Sequence, residues 1–157
     1  MILKDMMETR LITVPVTMHV EEVARLLVDK GISGAPVEEG GKLVGVISLS
    51  DLVAHARTGV LTKHERPNYY RDVWMEEEEL EGFTVEEVGS TQVGDIMTPV
   101  VFDMDENAPV AQAAELMMTA RIHRLIVTRK GKAVGIVTTS DFMRLIPLLA
   151  PPSALPA

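Results

Sequence analysis

A chain of 157 residues with 46% hydrophobic content is long enough to bury one sizeable core, and its net charge is −8. It has no cysteine, which excludes disulfides and thiolate metal sites and gives no sign of an oxidising compartment. No apolar run approaches the roughly 18 residues of a membrane-crossing helix, and Met1-Ile2-Leu3-Lys4-Asp5 lacks the regions of a signal peptide, so the chain reads as soluble and cytoplasmic.

Leu11-Ile12-Thr13-Val14 reads as a short strand ended by Pro15. Thr17 is placed to cap a helix whose apolar positions Val20, Val23, Ala24 and Leu27 follow helical spacing, and Gly31 supplies a left-handed exit. Ala35-Pro36-Val37 and Leu43-Val44-Gly45-Val46-Ile47 are strands joined by a turn at Gly40-Gly41, and a second helix runs from near Ser50 to Arg57, with Gly59 beyond it. From His64 to Val88 nine acidic residues face only Arg66 and Arg71, about −7, which reads as a solvated acidic connector. Asn107 then caps a helix with Pro109 in its first turn and Val110, Ala113, Ala114 and Met117 on one face. Strands follow at Leu125–Val127 and Ala133–Val137, and a last helix with Phe142 and Leu145 frays near Pro147. The ten methionines read mostly as core filler, Met117 and Met118 among them.

The second half repeats the first. Gly45-Val46-Ile47-Ser48-Leu49-Ser50-Asp51 returns, 90 residues later, as Gly135-Ile136-Val137-Thr138-Thr139-Ser140-Asp141. In the same register Asp5 and Met7 fall on Asp95 and Met97, Ala24 and Leu26 on Ala114 and Leu116, and Gly41-Lys42 on Gly131-Lys132. A unit of about fifty residues buries too little to stand alone, so two copies should pack on each other with two related sites between them. The expected fold is α/β, two repeats related by pseudo-twofold symmetry. The repeats span 5–60 and 93–150, with a connector at 61–92 and a disordered tail at 151–157.

The order strand, helix, strand, strand, helix, closing on Gly-apolar-apolar-Ser/Thr-x-x-Asp, resembles the cystathionine β-synthase (CBS) domain. Asp95-Ile96-Met97-Thr98-Pro99 resembles the usual opening of such a domain, and two in tandem resemble a Bateman module. Ser48/Asp51 and Thr138/Asp141 also match a helix capping box, so capping and ligand binding both stay open for them. A helix start behind a glycine suits a phosphate, and an Asp there suits vicinal hydroxyls. The resemblance implies that Asp51 and Asp141 hold a ribose, with Ser48 and Thr138 near the sugar or phosphate.

Arg121-Ile122-His123-Arg124 precedes a strand. Alternation turns Ile122 inward and leaves His123 and Arg124 at the strand mouth. The resemblance implies that this His-Arg pair reaches phosphates, for which the guanidinium fork is suited. The first copy has Gly31-Ile32-Ser33-Gly34-Ala35 there, without a cation, so the two sites should differ. By the same resemblance a base would lie against Ile12, Thr13, Ile32 and Pro36 in one half, and against Val101, Phe102, Ile122 and Ile126 in the other. The connector aromatics Tyr69, Tyr70 and Trp74 either pack back on the module or form a lid or docking face.

Catalysis finds little support, since His19, His55, His64 and His123 are scattered and neither Ser48 nor Thr138 has a visible base. The expected role is a regulatory module for an adenosine-containing ligand of the AMP, ADP or ATP class, with or without magnesium. It has no obligatory cofactor, and the partner protein that it regulates is not identified by the sequence. The alternatives are an S-adenosylmethionine module and a ligand-free dimerisation scaffold. A homodimer is expected, with Leu52, Phe142 and Leu145 offering apolar area to a second chain. An acidic chain without a basic stripe is a poor nucleic-acid binder, and no membrane partner is expected.

Overall fold

In the computed structural model, which describes residues 1–58, 68–70 and 91–149, each repeat is a three-stranded sheet with helices packed on it. In the first, β1 (Val14–Pro15) leads through helix α1 (Val20–Lys30) to a parallel neighbour, β2 (Gly34–Glu39), which turns into the antiparallel β3 (Lys42–Ser48) and helix α2 (Leu49–Thr58). The second opens on a short helix, α3 (Val93–Ile96), then repeats the plan with β4 (Asp103–Asp105), α4 (Val110–Ala120), β5 (Arg124–Arg129) and β6 (Lys132–Thr138). It closes on α5 (Thr139–Met143) and α6 (Ile146–Leu149). Both hairpins slip register at the same place, between Val37 and Glu38 and between Val127 and Thr128. The repeat therefore extends to a local irregularity of the backbone.

The expected buried faces are present. Val20, Val23, Ala24 and Leu27 are fully buried on α1, Ala113 and Met117 are buried on α4, and Gly31 adopts a left-handed φ of 62°. Several boundaries differ from expectation. The ladder of β1 starts only at Val14, opposite Val37, so Pro15 lies inside it and Leu11–Thr13 outside. The first cap is His19 rather than Thr17, because Glu22 reaches back to accept the His19 N–H at 3.2 Å. Asn107 is held in a turn by Asp105 Oδ1, which accepts its N–H and its side-chain amide at 2.9 Å each, and this leaves Pro109 as the N-cap of α4. The last helix breaks at Arg144–Leu145, and Pro147 sits in the first turn of α6, where a missing N–H does no harm. Leu52 is fully buried and has no area to offer a second chain, whereas Met118, expected as core, is 79% exposed. Gly59, most of the connector and the tail 151–157 lie outside the described residues.

Each repeat is completed by the other. The 3₁₀ turn Leu3–Asp5 docks on the second repeat: Leu3 N–H donates to Ala108 C=O (3.0 Å) and Lys4 N–H to Glu106 C=O (2.9 Å). The counterpart bonds run from Val93 N–H to Met18 C=O (2.8 Å) and from Gly94 N–H to Val16 C=O (2.9 Å). Further along, Glu8 exchanges both backbone bonds with Ile136, and Thr98 does so with Val46. Leu3 consequently belongs to the second core, while Val93 and Ile96 belong to the first.

Several matched residues of the two copies serve this exchange. Asp5 and Asp95 close the lead-in turns by accepting the N–H of Ile2 (3.0 Å) and Gln92 (3.1 Å). Gly45 and Gly135 let the crossing backbone approach. A Cβ on Gly45 would lie 2.7 Å from the Thr98 carbonyl, and one on Gly135 would lie 2.7 Å from Met7 Sδ and 2.9 Å from the Glu8 carbonyl. Gly45→Ala should therefore lower stability by roughly 1–3 kcal/mol in urea unfolding, while Glu39→Ala, at an exposed strand end, should leave it nearly unchanged.

Candidate functional site

The two Ser/Thr-x-x-Asp units stand where β3 enters α2 and β6 enters α5. Asp51 is buried, and its Oδ2 accepts both the N–H and the hydroxyl proton of Ser48, each at 2.9 Å. Asp141 Oδ2 does the same for Thr138, at 2.8 and 2.9 Å. The capping geometry is thus real in both copies, and it holds a carboxylate rigidly at each helix start. Capping engages one of two carboxylate oxygens, which together offer about four lone-pair sites. In the second copy the other oxygen lies 3.5 Å from the exposed Arg144 guanidinium.

Strand register sets the neighbours of these units. Gly34 pairs with Ser48, and Arg124 pairs with Thr138. The chain before each strand is tied down as well: Leu49 N–H donates to Ser33 C=O (2.9 Å), and Thr139 N–H to His123 C=O (3.0 Å). Thr138, Asp141, His123 and Arg124 therefore gather at one sheet end, as Ser48, Asp51 and Gly34 do at the other. His123 is exposed and Arg124 half-buried.

The residues assigned to a base are spread more widely. Thr13 donates its hydroxyl to Glu38 Oε2 (3.3 Å) across the β1–β2 pair, and Pro36 is buried in β2 opposite Val46. Ile32 packs on the first core. Ile122 belongs to the second core and lines a cavity of about 440 Å³ beside α4 and α5, with Met117, Met118 and Phe142.

The connector supplies groups that the sequence did not place. A 3₁₀ turn, Asn68–Tyr70, packs between β3 and β5 with both tyrosines buried. The ring of Tyr69 lies under Arg124, with Cζ 5.3 Å from its centroid, and Tyr70 meets Tyr69 and Phe102 edge to face. Phe102 N–H donates to the Tyr70 hydroxyl (2.9 Å), and His123 N–H to the Tyr70 carbonyl (2.7 Å). Burial pushes the Tyr69 phenol up to about 12, against the opposing pull of Arg124, and raises Tyr70 as well, so both stay neutral. Gly34 makes room for this arrangement, since a Cβ there would lie 2.6 Å from Tyr69 Cδ2. A glycine where the other repeat carries Arg124, in a chain with few aromatics, was the available signal. Among the described residues no group of three His, Asp or Glu is placed to hold a metal, and no helix is long and apolar enough to cross a membrane.

Comparison with known proteins agrees with this architecture. The family profile described as CBS domain matches residues 3–57 and 93–148. CBSX2, a chloroplastic CBS domain-containing protein of Arabidopsis thaliana, is 32% identical over 130 residues, 80% of this chain and 54% of its own. The uncharacterized protein MJ1426 of Methanocaldococcus jannaschii is 33% identical over 162 residues, 93% of this chain and 91% of its own. The chain thus spans about half the length of CBSX2 and nearly all of MJ1426. The crystal structure of CBSX2 in complex with AMP superposes with a TM-score of 0.64 at 26% identity, covering 94% of this chain and 97% of that one.

The capping geometry carries its own test. Asp141→Ala should cost about 1 kcal/mol of stability, whereas Asp141→Asn, which keeps an acceptor for the Thr138 N–H, should cost clearly less in the same urea titration.

Proposed function

The chain belongs to the CBS domain family as a tandem pair, and on that premise we propose that it binds an adenosine-containing ligand of the AMP, ADP or ATP class and regulates a partner protein. The observation that supports this reading best is the charge arrangement between the repeats. A carboxylate is fixed at each of two helix starts, and one guanidinium, Arg124, reaches in from the strand beside Thr138. Carboxylates accept from ribose hydroxyls, and a guanidinium binds phosphate oxygens in a two-pronged contact. The AMP complex of CBSX2 lends weight to the nucleotide class. An S-adenosylmethionine ligand would share the adenosine end and bring a sulfonium and an α-carboxylate in place of the phosphates. CBSX2 is a chloroplastic protein, so family membership alone does not place this chain in a compartment.

The second copy in a homodimer is assigned to the helical face of the second repeat. In that repeat Met118 and Phe142 line the cavity beside α4 and α5, and Met118, Met143, Ile146 and Leu148 are exposed. Light scattering at micromolar concentration should give a dimer mass, and a monomer mass with and without nucleotide would refute this assignment.

Melting shifts and calorimetry with AMP, ADP, ATP and S-adenosylmethionine test the ligand class. Arg124→Ala should weaken AMP or ATP several-fold and leave adenosine nearly unchanged, because only the phosphates meet the cation. Asp141→Ala should weaken whichever ligand uses that ribose site by at least about tenfold, the equivalent of ~1.4 kcal/mol. A ligand-free scaffold would show no shift with any of the four.

A further inference from the structure

Resting on that reading, we propose that Tyr69 and Tyr70 are a built-in occupant of the Arg124 cleft, which a phosphate-bearing adenosine ligand must displace. Three sets of contacts carry the proposal. One face of the Arg124 guanidinium rests on the Tyr69 ring, a cation–π contact at 5.3 Å that holds the side chain in place. Two backbone donors next to Arg124 and its sheet, the N–H groups of His123 and Phe102, are both taken by Tyr70, through its carbonyl and its hydroxyl. Gly34 has no side chain, and Tyr69 occupies the space that one would need. The turn therefore combines flat aromatic surface, a polar group on backbone donors and π-density under the cation.

The same contacts predict a preference among ligands. Displacing the turn exposes two buried rings and breaks the Arg124–Tyr69 contact. A phosphate replaces that contact with a charge-assisted bond, and adenosine has nothing with which to replace it. AMP should open the cleft and adenosine should fail to do so. The occupant thus turns Arg124 from a simple phosphate contact into a selectivity filter.

The chain contains only two tyrosines, both in this turn, so tyrosine chemistry reports on the occupant alone. Nitration of the full-length protein by tetranitromethane should be slow in the free state, several-fold faster with saturating AMP, and little changed by adenosine. Calorimetry supplies a second readout. Tyr69→Ala should bind AMP at least about tenfold tighter than wild type, which corresponds to ~1.4 kcal/mol, and adding Arg124→Ala should abolish the gain. Should Tyr69→Ala lose its cooperative melting transition, Tyr70→Phe, which removes only the hydroxyl on Phe102, should still tighten AMP measurably.

AMP that binds wild type through Arg124 without changing nitration, or folded variants that bind it no tighter, would overturn the proposal and leave the ligand class standing. No adenosine ligand bound by any form would remove the ligand class and this inference with it.

Discussion

The reciprocal exchange of the two lead-in segments is the constraint on which the rest of the structure depends. Residues 1–8 complete the second repeat, and residues 91–98 complete the first, through matched pairs of backbone bonds. Without the exchange, Leu3 and Val93, both fully buried, would each lose the core that they enter. The backbone groups of Val46 and Ile136 would lose their partners as well, and an unmade buried hydrogen bond is costly. A repeat of this size cannot bury enough apolar surface alone, so the exchange makes the pair one cooperative unit. It also sets the relative position of the two sheets, and hence the space between them.

That space inherits the symmetry of the backbone but not of the side chains. Each helix start holds a capped carboxylate, and each preceding hairpin carries the same register slip. Chemistry diverges at Gly34 and Arg124, which occupy equivalent places beside Ser48 and Thr138. One position offers room and the other a cation, and the Tyr69 ring uses both. Equivalent positions of a duplicated scaffold can thus carry different groups without any change of fold.

Capping and ligand binding are compatible at the Ser/Thr-x-x-Asp units. Fixing one carboxylate oxygen on the backbone N–H and hydroxyl of the Ser or Thr removes rotamer freedom before any ligand arrives. A group already ordered by its own fold loses less entropy on binding. The motif recurs in both copies because its structural duty is required in both. Recurrence alone therefore could not separate the two roles.

Much was legible in the chain itself. The 90-residue repeat, the buried stripes at Val20–Leu27 and Ala113–Met117, the glycine turns and the paired Ser/Thr-x-x-Asp units all follow from local spacing. Local spacing also placed the helices well but not their caps, since Glu22 takes the His19 N–H that Thr17 would claim and Asp105 holds the Asn107 side chain that would do the capping. Only the tertiary structure decided that the lead-ins cross over and that Gly45 and Gly135 exist to admit them. It also decided that Leu52 turns inward and that Tyr69 and Tyr70 lie against Arg124, Phe102 and His123. The physical reason is range. Periodicity records which face of an element is apolar, but not which distant backbone meets it, and these contacts join residues tens of positions apart whose pairing leaves no mark on either segment alone.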